Sequence, residues 1–72
     1  MNDETFNISL RKFLKMVGVS SQREIEQAVG QAIAAGKIDG RRPIRAKMTL
    51  SLPDLDSNAT FESEISLDDA GH

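Results

Sequence analysis

The sequence predicts a small α+β domain with element order α-α-β-β, and three observations point to it. Apolar residues recur every three or four positions through Phe6, Leu10, Phe13, Leu14 and Val17, then through Ile25, Ala28, Val29, Ala32 and Ile33. Beyond Gly36 and Gly40 the rhythm changes to strict alternation: Ile44, Ala46, Met48, Leu50 and Leu52, then Phe61, Ser63, Ile65 and Leu67. The first spacing puts one apolar stripe on each of two helices, and the second gives each of two strands one apolar face. Glycines, prolines and capping residues then punctuate the chain where these segments should begin and end.

Asn2 or Asp3 is placed to cap the first helix, with Asp3 and Glu4 near its positive end. That helix is expected to stop at Val17, with Gly18 as the residue beyond its C-cap. Arg11, Lys12 and Lys15 lie off the stripe, and Ile8 sits opposite it. Ser21 and Glu24 have the spacing of a capping box that opens a second helix. The second helix should run to about Ala35 and be ended by Gly36. Gly30 interrupts it at a cost of ~1 kcal/mol relative to alanine. Gly30 and Ala34, one turn apart on the far face beside Arg23 and Gln27, would let another backbone come close. They form a candidate self-association face.

Lys37 and Ile38 are expected to form a short extended piece, Asp39-Gly40 a turn, and Pro43 a barrier to any helix. A strand is predicted over Ile44–Leu52, ended by Pro53, with Asp54–Asn58 as loop. A second strand, from about Thr60 to Leu67, should pair with it antiparallel. Residues 68–72 are expected to be a frayed tail. The whole reads as a single domain over residues 1–72, one hairpin packed on a helix pair, without internal repeats or low-complexity tracts.

A chain of 72 residues builds only a small core, and a single core of that size rarely supplies more than about 3–5 kcal/mol unless it is stapled. Cysteine is absent, which removes disulfides, thiolate metal sites and cysteine nucleophiles, and the single histidine is the last residue, His72. Histidine-based zinc sites and Ser-His-Asp relays therefore lack their parts. No catalytic residue, metal ligand or cofactor-binding residue is predicted, and no small-molecule ligand is evident. No stretch has the pattern of a signal peptide or the ~18 consecutive apolar residues of a membrane span. A soluble cytoplasmic protein without a membrane partner is the expectation. The net charge of −2 conceals a segregation: every Lys and Arg lies between Arg11 and Lys47, whereas the final third carries only Asp54, Asp56, Glu62, Glu64, Asp68 and Asp69. Such a division permits head-to-tail or internal electrostatic pairing.

Three constellations invite a chemical reading. Asp54, Asp56 and Asn58 imitate the start of a calcium loop, but Ala59 and Ile65 stand where that loop needs its glycine and its bidentate glutamate. A polar hairpin loop accounts for them. Glu62 and Glu64 project from one strand face, where carboxylates are ordinarily solvated. Leu14–Ser20 resembles the turn of a helix-turn-helix, which would make the second helix a reader presenting Gln22 and Arg23. Arg41, Arg42, Arg45 and Lys47 would then be a basic wing on phosphates. Against this, the spacing from Gly18 to Ile25 is a residue too long, only two helices are present, and the acidic second strand repels a phosphate backbone.

The segments Phe6-Asn7-Ile8-Ser9-Leu10-Arg11-Lys12-Phe13-Leu14-Lys15 and Val17-Gly18-Val19-Ser20-Ser21-Gln22-Arg23-Glu24-Ile25-Glu26 resemble a family of short uncharacterised bacterial proteins classed as a domain of unknown function. The similarity continues through Ala35-Gly36-Lys37 and Lys47-Met48-Thr49-Leu50. The resemblance implies a bacterial cytoplasmic, free-standing protein and brings no catalytic residue with it. The expected role is non-enzymatic: a protein-interaction or regulatory module that pairs with itself or another protein. A homodimer is favoured, because a lone hairpin leaves two sheet edges free. The nucleic-acid-binding module is the alternative.

Overall fold

The computed structural model describes residues 1–69; the end of the expected tail, residues 70–72, lies outside the described residues. The chain divides into two compact units, residues 1–37 and 38 onward. The α+β class holds, but the predicted pair of N-terminal helices is replaced by one: α1 runs unbroken over Asp3–Ala34, 32 residues and about 48 Å long. Asn2 is the N-cap, its Oδ1 accepting from the Thr5 amide at 2.9 Å, and Asp3 and Glu4 occupy the first turn.

Gly18 does not end the helix. It keeps helical geometry, as do Ser20 and Ser21, so the expected cap at Ser21–Glu24 is absorbed into the helix interior. The balance of costs explains this. Carrying a glycine costs about 1 kcal/mol. A break would leave up to four amides and four carbonyls at the new ends in need of other partners.

At the other end the glycine does stop the helix. Gly36 has φ +73°, its amide bonds to the Ile33 carbonyl at 3.0 Å, and the Lys37 amide bonds to Ala32 at 2.8 Å. This pair of bonds is a Schellman motif, which needs a left-handed residue at that position.

The segment Lys37–Pro43 is irregular, so the short extended piece expected at Lys37-Ile38 does not form; Asp39-Gly40 does make a turn, with Gly40 at φ +76°. Strand β1 spans Ile44–Leu52 as predicted. Strand β2 spans Ser57–Ile65, beginning and ending earlier than the alternation implied. The strands pair antiparallel from Ile44↔Ile65 to Leu52↔Ser57. Between them Pro53–Leu55 forms a single 3₁₀ turn and Asp56 takes a left-handed conformation at φ 49°, one that aspartate tolerates better than most residues. The tight loop is what lengthens β2: Asn58, expected in the loop, is already paired with Ser51.

No side chain among the described residues is buried. On α1, Val17, Ser21, Ile25, Val29 and Ala32 are half-buried, as are Ile44, Ala46, Leu50 and Ile65 on the hairpin. Among the described residues no helix is long and apolar enough to cross a membrane.

Candidate interaction surfaces

Directly opposed residues of an antiparallel pair share a face, so the register sorts the hairpin into two. One face is polar: Arg45 with Glu64, Lys47 with Glu62, Thr49 with Thr60, Ser51 with Asn58. The other is apolar: Ile44 with Ile65, Ala46 with Ser63, Met48 with Phe61, Leu50 with Ala59. Phe61 is 60% exposed and Leu55, at the loop, 71%. The apolar face is therefore formed but open.

The polar face carries two residues of the expected wing. Arg45 and Lys47 each stand opposite a glutamate, and Arg45 Nη2 also lies 3.5 Å from Glu62 Oε2 on the diagonal. Opposite-charge pairs at this spacing stabilise a sheet modestly. Of the two bases, only Arg45 lies within ion-pair distance of a glutamate, Glu62, and its side chain stays 80% exposed. Arg45, Glu62, Ser63 and Glu64 line an open depression in which acids outnumber bases. The acidic side chains form no metal-ligating group of three among the described residues, and the calcium-like run is split between the loop and β2.

Arg41 and Arg42 lie in the turn before β1. Asp39 organises that turn: its Oδ1 accepts from the Arg41 amide at 2.9 Å and from the Arg42 amide at 3.3 Å, and Oδ2 lies 3.9 Å from Arg42 Nε. These backbone bonds to the charged carboxylate, aided by the Arg42 guanidinium, hold the Asp39 pKa below its ordinary 3.8.

The helix-turn-helix reading fails on the helix itself. Leu14–Ser20 is continuous helix, so no turn separates a positioning helix from a reading one. Gln22 and Arg23 sit exposed in mid-helix rather than at a reading helix's start, away from the free amides such a start supplies. Gln22 and Arg23 belong to the first unit, and Arg41, Arg42, Arg45 and Lys47 to the second. Gly30 and Ala34 are also exposed, and a Cβ built at Gly30 meets nothing within 4 Å. What the sequence reading passed over is the extent of bare apolar surface on α1: Phe6, Ile8, Leu10, Phe13, Leu14, Met16 and Val19 are all exposed.

Residues 1–68 match the family of unknown function DUF6494. The chain belongs to that family. The match takes in the helix, both strands and the loop between them, so the resemblance seen in Phe6–Glu26 and Lys47–Leu50 extends through nearly the whole DUF6494 chain. No curated protein and no solved structure matches it. The functional reading therefore rests on the surfaces themselves.

Proposed function

We propose that this DUF6494 chain is a non-enzymatic protein-interaction module that works as an assembly of its own copies, a homodimer in the simplest case. One observation carries the reading: two well-formed units display apolar faces, and no described side chain is buried. A two-stranded hairpin is marginal alone in water, and helices in proteins owe most of their stability to packing of an apolar face. Both units thus need a covering surface, and a second copy is the one always at hand.

Sedimentation equilibrium at micromolar concentration tests the proposal. A dimer or larger assembly, dissociating together with its folded signal on dilution, is expected. A strictly monomeric species that stays cooperatively folded would overturn it.

A further inference from the structure

With the helix unbroken, a period emerges that a cut at Gly18 conceals. Phe6, Leu10, Leu14, Val17, Ser21, Ile25, Ala28 and Ala32 follow one another at spacings of four, four and three, repeating every eleven residues: Phe6, Val17 and Ala28; Leu10, Ser21 and Ala32; Leu14 and Ile25. Eleven residues in three turns is 3.67 per turn. Such a repeat keeps a seam on one side of a nearly straight helix and favours a gentle right-handed supercoil between partners. All eight residues lie within about 100° of arc, the width of a core-facing stripe. Ser21 is the only polar member.

We infer that this stripe is the seam of an antiparallel helix pair formed with a second copy of the chain, its two-fold axis passing beside residue 19. This rests on the self-assembly reading above and specifies its surface. The first support is the gradient of side-chain size along the seam. The N-terminal half is bulky, with Phe6, Leu10 and Leu14; the C-terminal half is thinner, with Ser21, Ala28 and Ala32 beside the single large residue Ile25. Antiparallel pairing about residue 19 sets Phe6 against Ala32, Leu10 against Ala28 and Val17 against Ser21, with Leu14 at the level of Glu24 and Ile25 at that of Phe13. Large against small at the first three levels keeps the two axes close along most of the seam. Parallel pairing would oppose phenylalanine to phenylalanine at one end and alanine to alanine at the other, and the axes would splay.

Charge is the second support. None of the acids and bases of α1 makes an ion pair within the described residues; both pairs found belong to residues 39–62. Antiparallel pairing about residue 19 brings Arg11 to the level of Gln27, Lys12 to that of Glu26 and Lys15 to that of Arg23 of the second copy, so the basic run meets mixed partners and not itself. Parallel pairing would lay the basic run against itself, a like-charge contact, and would align rather than oppose the helix dipoles.

The native chain has no cysteine, so single spin labels report cleanly. Thr5→Cys and Ser20→Cys lie off the seam. In the antiparallel pair the two labels at position 5 are about 40 Å apart, and those at position 20 fall within about 25 Å. Leu14→Glu should raise the dissociation constant at least a hundredfold, read by sedimentation, with helicity at high protein concentration as the check that the chain still folds. Short distances at both positions, distances that follow neither pattern, or a dimer indifferent to Leu14→Glu would overturn the seam while leaving self-assembly intact. A monomeric wild type would instead remove the self-assembly reading on which it rests.

Discussion

Helix α1 satisfies its backbone by itself, each interior amide bonding four residues back, whereas each strand of the hairpin depends wholly on the other. In a helix, the penalty of a poor residue is weighed against the ends that a break would create. Gly18, Ser20, Ser21 and Gly30 are all carried through for this reason, although each is locally unfavourable. In the hairpin the loop decides. Once Pro53–Asp56 closes the chain, pairing propagates from Leu52↔Ser57 whatever the local preferences of Ser57, Asn58 and Ala59. Continuous stretches of the chain are thus set by cooperative hydrogen bonding, and only a residue that forbids the geometry can end them. Gly36 and Gly40, both with positive φ, and the prolines are such residues; Gly18 is not.

The largest test of this contrast is a proline inside the disputed region. Val19→Pro removes an interior amide and clashes with the Lys15 carbonyl one turn earlier. It should cost about 3 kcal/mol or more, with a marked loss of helical circular dichroism. A chain with two helices and Gly18 beyond the first would accept proline at 19 readily, since proline is common just past a helix C-cap. An unchanged spectrum and unfolding midpoint would therefore break the one-helix description.

A smaller effect comes from two alanines that should act in opposite directions. Gly36→Ala places a Cβ at φ +73° and should destabilise by about 1–2 kcal/mol. Gly18→Ala adds a Cβ to a helical position with nothing within 4 Å and should stabilise by up to about 1 kcal/mol. Urea midpoints measured at one fixed protein concentration give both signs. Equal signs would mean that the two glycines play the same part.

How far the sequence was legible follows the same division. Asn2, Gly36, Asp39-Gly40 and β1 are as read, because each rests on a residue whose chemistry permits few alternatives. The split at Gly18–Ser21 was misread because its signals were propensities, which a long run of backbone bonds outweighs. Cutting the helix there also hid the eleven-residue spacing. The start of β2 was placed late because Ser57, Asn58 and Ala59 show no alternation, and their pairing is imposed from β1. Arg45 and Lys47 lie on the strand read from the alternation, but the register that sets them opposite Glu64 and Glu62 depends on the loop length. The apolar stripe of α1 was legible residue by residue; that Phe6, Leu10, Phe13 and Leu14 stay exposed was not, since exposure is a property of the fold and not of spacing.

The smallest effect belongs to the turn that precedes β1, and its sign is set by Asp39. Backbone bonds from Arg41 and Arg42 to the carboxylate come first, then the Arg42 guanidinium, and together they keep the folded-state pKa below 3.8. The folded turn therefore binds this proton less tightly than the unfolded chain does. Its contribution is fully present above the ordinary value and is lost as pH falls below it through the folded-state pKa. The carboxylate and its arginine stand in solvent, with side-chain exposures of 56% and 90%, so the effect is local rather than global. An acid titration followed by NMR should show the Arg41 and Arg42 amide resonances moving together with the Asp39 carboxyl, at a midpoint below 3.8. The helix amides of Gln31–Ala34 should stay still over the same range. A midpoint at or above the ordinary value, or amide shifts uncoupled from the carboxyl, would show that Asp39 does not hold the turn. Gly40 and Pro43 would then be left to shape it through backbone geometry alone.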